Sequence, residues 1–205
     1  MLFTNLFVKI AEASKDNRFV VLQGGTSSSK TYSTAQILIV KSLRSKKSKL
    51  VSVVAETIPH LKRGVMRDFF KILIEQGLYS EDSHNKTDST YKLGNWTIEF
   101  FSADNDAKLR GARRDILFVN ECNRISWDAF TQLEIRTKTQ VFLDFNPVSK
   151  FWVHSKLMQP SNKFAFIKST YKDNVDHLTG KPLLEQSIID AIESRKPIFD
   201  EVGNL

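Results

Sequence analysis

FVVLQGGTSSSKTYST, residues 19–34, is the stretch on which the reading of this chain turns. An apolar run from Phe19 to Leu22 ends at Gly24-Gly25 and passes into Thr26-Ser27-Ser28-Ser29-Lys30-Thr31. This follows the phosphate-loop pattern G-x-x-x-x-G-K-[ST], with Ser29 where the last glycine usually stands. Small residues let successive backbone N–H groups turn inward around a polyphosphate, and the following helix aims its positive end at the same anion. Gly24, Gly25, Thr26, Ser27, Ser28, Ser29, Lys30 and Thr31 are therefore the candidate nucleotide-binding residues. Lys30 would reach the β- and γ-phosphates of ATP, and the Thr31 hydroxyl would ligate Mg²⁺. A serine-rich surface turn that happens to carry a lysine is the plainer alternative. The strand before the loop and the helical pattern from Tyr32 to Leu43 after it favour the nucleotide site.

The chain has 205 residues, 41% of them apolar and 26% charged, which fits one soluble domain with a real core. No apolar run approaches membrane-spanning length, and MLFTNLFVKIAEA is too short and interrupted for a signal peptide. A single cysteine, Cys122, excludes a disulfide framework and suits a reducing compartment. With four scattered histidines it makes no zinc spacing. The net charge of +7 favours a polyanionic partner. Part of that excess is Lys41, Arg44, Lys46, Lys47 and Lys49, at the exit of the helix after the loop. A solvated helix end and a DNA contact explain that cluster equally well.

Hydrophobic periodicity alternates helices with strands. An amphipathic helix is expected over Leu2–Ala13, the loop strand over Arg18–Gln23 and a buried strand over Leu50–Ala55. Thr57-Ile58-Pro59 opens a helix that Gly77 closes. A hairpin over Thr90–Phe101 turns at Leu93-Gly94-Asn95. Ile116–Val119 is a short strand, and Ser126 caps a helix running to about Lys138. Strands follow at Val141–Phe145 and Phe164–Ser169, then a helix over Pro182–Arg195. No repeat or linker divides residues 1–205, which read as one domain. The fold class is α/β: a mostly parallel central sheet flanked by helices, with a β-hairpin. The phosphate loop lies at the carboxyl end of its strand, where such sheets bind ligands.

Hydrolysis needs an acid at a neighbouring strand tip. Ile116-Leu117-Phe118-Val119-Asn120-Glu121 supplies one: four apolar residues, then two polar ones. The first is usually an Asp that supports Mg²⁺. Here it is Asn120, which can accept a hydrogen bond from a metal-bound water but brings no charge. Glu121 is the candidate general base, or else a plain surface acid. An intervening strand between the two motifs, with a glutamate after the acidic strand, points to P-loop NTPases of the recombinase and helicase type. Leu143-Asp144-Phe145-Asn146-Pro147 ends a strand with polar groups, as a γ-phosphate sensor or a simple turn. Of the arginines in Leu109-Arg110-Gly111-Ala112-Arg113-Arg114, Arg110 ranks first as an arginine finger, within the chain or toward a neighbour. Otherwise these arginines are solvated or face DNA.

Together these segments resemble the ATPase domain of the large terminase subunit, the DNA-packaging motor of tailed phages. The likeness is carried by GGTSSSKT at 24–31, VVAETIPHLKRGV at 53–65, IEFFSADN at 98–105 and KLRGARRDILFVNECNRIS at 108–126. It continues through WDAFTQLEIRT at 127–137, LDFNP at 143–147 and STYKDN at 169–174. The resemblance implies ATP hydrolysis with Mg²⁺, driving double-stranded DNA into a preformed capsid. It also implies a monomer that acts in a homo-oligomeric ring on a portal protein, a small terminase subunit as partner, and the host cell cytoplasm as location. It makes Lys30 and Thr31 the Walker A lysine and magnesium ligand, Glu121 the catalytic glutamate, and Asp144 and Asn146 the motif coupling hydrolysis to movement. Thr26 stands where the family often has an arginine, so a finger must come from elsewhere. The family's C-terminal nuclease is expected to be missing and the chain to be a fragment, since Asp173 and Asp176 belong to the TYKDN segment. Another nucleic-acid-stimulated ATPase such as a helicase, or a structural subunit holding ATP with little turnover, are the competing readings.

Overall fold

The computed structural model describes residues 1–104, 109–147, 149–159 and 163–195. The chain opens with helix α1 (Asn5–Asp16), which starts later than hydrophobicity alone suggests because the Thr4 hydroxyl caps it, accepting from Phe7 N at 2.9 Å. Strand β1 (Phe19–Gly24) runs into the loop and helix α2 (Lys30–Arg44). Strand β2 (Lys49–Ala55) leads to α3 (Ile58–Arg63) and α4 (Val65–Glu75). The single helix expected between Thr57 and Gly77 is thus two, broken at Gly64. A Cβ on Gly64 would lie 3.0 Å from His60 O and 3.2 Å from Asn120 Oδ1, so the break lets the backbone close on the tip of a later strand.

The short β3 (His84–Asn85) pairs antiparallel with β4 (Thr90–Leu93), which forms the expected hairpin with β5 (Trp96–Ser102). Strand β6 (Arg114–Val119) precedes α5 (Trp127–Glu134). That helix stops short of Lys138: the Thr137 hydroxyl bonds back to Leu133 O at 2.8 Å, and Thr137 already begins β7 (Thr137–Phe145), paired with Arg114. A π-helical turn (Val153–Leu157), β8 (Phe164–Ser169) and α6 (Gln186–Glu193) complete the described chain. The last helix is shorter than the Pro182–Arg195 expected.

The strands form one sheet in the order β3-β4-β5-β2-β6-β7-β1-β8, parallel from β5 to β8. Strand β7 lies between β1 and β6, the intervening strand of the recombinase-type arrangement. Alternation along β1 sends Val20 and Leu22 to one core and Val21 to the other. The first core takes Leu6 of α1, Leu38 of α2 and Phe69 of α4; the second takes Phe130 of α5 and Val153 of the π turn. Two helical layers therefore cover the sheet and hold the tips of β1, β6, β7 and β8 at one edge. Among the described residues no helix is long and apolar enough to cross a membrane.

Candidate nucleotide-binding site

The loop after β1 is shaped for close backbone approach. A Cβ on Gly24 would run into Ser169 O and Ser28 Oγ, so β8 beside it admits only glycine there. Ser29, at the usual glycine position, has φ 60°, and Ser27 has φ 67°. Both adopt the left-handed backbone that a side chain disfavours by about 1–2 kcal/mol, which is why a glycine is usual at the first of them. The carbonyl of Ser27 accepts from Asn174 Nδ2 at 3.1 Å, so the TYKDN segment braces the loop. Asp173 pairs with Lys9 at 2.7 Å and caps its own turn, and Asp176 accepts from Leu178 N at 2.8 Å, both structural tasks.

Lys30 Nζ donates to Gly24 O at 2.7 Å, Gly25 O at 3.0 Å, Asn146 Oδ1 at 3.1 Å and Ser28 Oγ at 3.2 Å. Burial lowers its pKa, partly offset by Asp144 and Glu121. The loop carbonyls hold the ammonium where phosphate oxygens can replace them.

Asp144, at the tip of β7, is the hub of the site and only 1% exposed. Its Oδ2 accepts from the Thr31 hydroxyl at 2.7 Å, and its Oδ1 from the backbone N–H of Glu121 at 2.7 Å. Asn120 Nδ2 donates to the same two oxygens at 2.9 and 3.1 Å and to Thr31 Oγ1 at 3.2 Å. Burial raises the Asp144 pKa, against the hydrogen bonds from Glu121, Thr31 and Asn120 and the charge of Lys30.

Glu121 also sits in left-handed backbone, φ 52°, which turns its side chain outward. Its carboxylate pairs with Arg124 Nε at 2.8 Å, and Arg124 reaches Glu56 at 3.5 Å. The i, i+3 spacing of Glu121 and Arg124 on the turn after β6 permits this pair; sequence reasoning passed over it.

A cleft of about 670 Å³, a volume suited to a nucleotide, opens in front of Lys30 and Thr31, with Asp144 buried behind its wall. Its walls include the loop from Gly25 to Thr31, Asn120, Glu121 and Asn146, and, from α4, Arg67 and Lys71. The last two were also passed over, although their i, i+4 spacing on the polar face of α4 was legible. Arg110 is exposed on the turn before β6 and is not among the residues lining the cleft. Of the basic cluster, Lys41 is half-buried, donating to Gln140 Oε1 at 2.7 Å, and burial brings its pKa down to about 8. It lies at the far end of α2 from the cleft. Oxygen donors at Thr31 and Asp144 suit a hard divalent ion. No cluster of three or more His, Cys, Asp or Glu fit to hold a metal alone occurs among the described residues. An ion here would therefore share the phosphates of a nucleotide.

The family profile of the phage terminase large subunit matches residues 16–197. The chain belongs to that family. A terminase relative, the PBSX phage terminase large subunit of Bacillus subtilis (strain 168), is 24% identical over 160 residues, which span 74% of this chain and 36% of the relative. The large terminase of a thermophilic bacteriophage superposes with a TM-score of 0.78 at 13% identity, over 100% of this chain and 53% of its own length. The same terminase in complex with ATP-γ-S gives 0.76 at 13% identity, over 99% and 52%. The large terminase ATPase domain of Thermus phage P74-26 gives 0.56 at 16% identity, over 79% of this chain and 78% of that one. These likenesses establish the terminase ATPase fold. This chain spans about a third of the PBSX large subunit and about half of the thermophilic phage's.

Proposed function

We propose that the chain is the ATPase part of a terminase large subunit, hydrolysing ATP to drive double-stranded DNA into a procapsid. One observation carries the reading: Lys30, Thr31, Glu121 and Asn146, from different strand ends and far apart in sequence, line one cleft, with the buried Asp144 bonded to Thr31 and the Glu121 N–H behind them. The similar structures include an ATP-γ-S complex and an ATPase domain, which supports it.

Loop N–H groups and the start of α2 would cradle the phosphates. Lys30 would leave the Gly24 and Gly25 carbonyls for the β- and γ-phosphates. Glu121 would orient the attacking water for in-line displacement and take its proton. Thr31 would hold a magnesium ion, which would supply charge neutralisation to the transferring phosphoryl group. Asp144 and Asn146 would couple this chemistry to movement, Asn146 through its bond to Lys30. Because Arg110 does not line its own cleft, it would serve as a finger in a neighbour's, within a homo-oligomeric ring. Removing such a finger costs about 10³- to 10⁵-fold in rate, so the isolated chain should be a weak ATPase. The portal protein, a small terminase subunit and the host cytoplasm complete the family setting.

ATP turnover against protein concentration, with and without duplex DNA, tests the reading. Activity that rises faster than linearly and disappears in Glu121→Gln supports it. ATP binding without turnover at any concentration would instead favour a nucleotide-holding subunit.

A further inference from the structure

At the tip of β6 a carboxamide, Asn120, stands where a carboxylate is usual, and the carboxylate of Asp144 stands one strand over, at the tip of β7. In nucleotide sites of this kind an acid at the tip of the second motif strand lies beside the loop hydroxyl and supports its ion. Strand β6 offers Asn120 there, and Asn120 turns its nitrogen, not its oxygen, toward that hydroxyl. An amide N–H₂ has two protons and no acceptor capacity, so it cannot receive a hydrogen bond from a metal-bound water. The Oδ1 end faces Gly64 instead, 3.2 Å from where a Cβ would stand. Turning the amide over would set its oxygen against the two carboxylate oxygens of Asp144, which Nδ2 now contacts at 2.9 and 3.1 Å.

The acid is one strand over. Asp144 Oδ2 lies 2.7 Å from Thr31 Oγ1, although the residues are 113 positions apart. Strand β7 pairs directly with the loop strand, Leu22 opposite Asp144, so this carboxylate reaches the loop hydroxyl without any side-chain adjustment. The Glu121 N–H and Asn120 Nδ2 pin it from the β6 side. The Glu121 carboxylate, by contrast, is occupied with Arg124 at 2.8 Å.

We propose that Asp144 supplies the carboxylate supporting the magnesium ion at Thr31, and that Asn120 is a positioning residue that holds Asp144 through its amide nitrogen. This rests on the nucleotide-site reading and gives a coupling-motif residue a second task. The thermodynamics separate the two residues: loss of Asp144 removes the charge itself, and loss of Asn120 only loosens it.

The test is the affinity of the whole chain for ATP-γ-S with Mg²⁺ and in EDTA, by calorimetry. Four proteins are compared: the unaltered chain, Asp144→Asn, Asn120→Ala, and the exchange carrying Asn120→Asp with Asp144→Asn. In each protein the affinity in EDTA is its own baseline, and the ratio of the two affinities is the gain that Mg²⁺ gives. Asp144→Asn should lose roughly 10- to 100-fold of the gain that Mg²⁺ gives, Asn120→Ala should lose less, and the exchange should recover most of it. A full Mg²⁺ gain in Asp144→Asn overturns the proposal, as does a loss in Asn120→Ala equal to or larger than that of Asp144→Asn. Should Asp144→Asn not fold, Asn120→Ala and the exchange decide: an exchange without any Mg²⁺ gain also overturns it. An unaltered chain that binds no ATP-γ-S in either condition sinks the nucleotide-site reading itself, a separate result.

Discussion

Asp144 and Glu121 stand on neighbouring strand tips, yet their surroundings are opposite. Asp144 is 1% exposed and bonded to Thr31, Asn120 and the Glu121 backbone. The Glu121 side chain is 44% exposed, with Arg124 as its ion-pair partner. A buried carboxylate hydrogen-bonded through both oxygens is fixed in place, because each bond given up inside the protein exposes an unpaired group. An exposed ion pair contributes about 0–1 kcal/mol and is readily exchanged. The site thus joins a rigid half, suited to hold charge in a set position, to an adjustable half, suited to turn toward a water when substrate arrives.

The largest expected effect breaks the adjustable half. Glu121→Gln should lower ATP turnover by about 10²- to 10⁴-fold, the usual contribution of a general base. Steady-state phosphate release reads this, and the melting temperature should not move. On the rigid side, Asp144→Ala should leave the Thr31 hydroxyl, the Asn120 amide and the Glu121 N–H short of a partner, at a cost of about 1–3 kcal/mol in stability. Denaturant unfolding checks it; a neutral result would deny that Asp144 is a structural hub.

Ser29→Gly is expected to act in the other direction. It relieves a left-handed serine at the start of α2 and should stabilise the chain by up to about 1 kcal/mol, read in the same unfolding experiment. The smallest effect belongs to Arg124→Ala, which should change stability by less than about 1 kcal/mol. A loss there as large as that of Asp144→Ala would erase the contrast between the two halves.

Much of this architecture was legible in the sequence. Strand, loop and helix at 19–44 declared themselves locally, as did the β6 tip with Glu121, because each signal lies within one short segment. Other features escaped for physical reasons. The break at Gly64 is hidden by Leu61, Val65 and Phe69, whose helical spacing runs on across it. The cause is a contact with Asn120, more than fifty positions away, that no local pattern encodes. The end of α5 escaped because Ile135 to Lys138 suits a helix as well as a strand; pairing of Thr137 with Arg114 decides it. In the site, residue types pointed to Lys30, Thr31, Glu121, Asp144 and Asn146 as candidates. They did not announce that Asn120 presents its nitrogen to Thr31, that Asp144 reaches the same hydroxyl, or that α4 brings Arg67 and Lys71 to the cleft wall.

The most direct measurement is a crystal structure of the chain with ADP, Mg²⁺ and aluminium fluoride in place of the transferring phosphoryl group. Lys30 should have moved from the loop carbonyls to the phosphates, and Glu121 should have turned from Arg124 toward the fluoride. Asp144 should be unmoved beside a metal ion at Thr31. Glu121 still paired with Arg124 while Asp144 has swung away from Thr31 would contradict this arrangement.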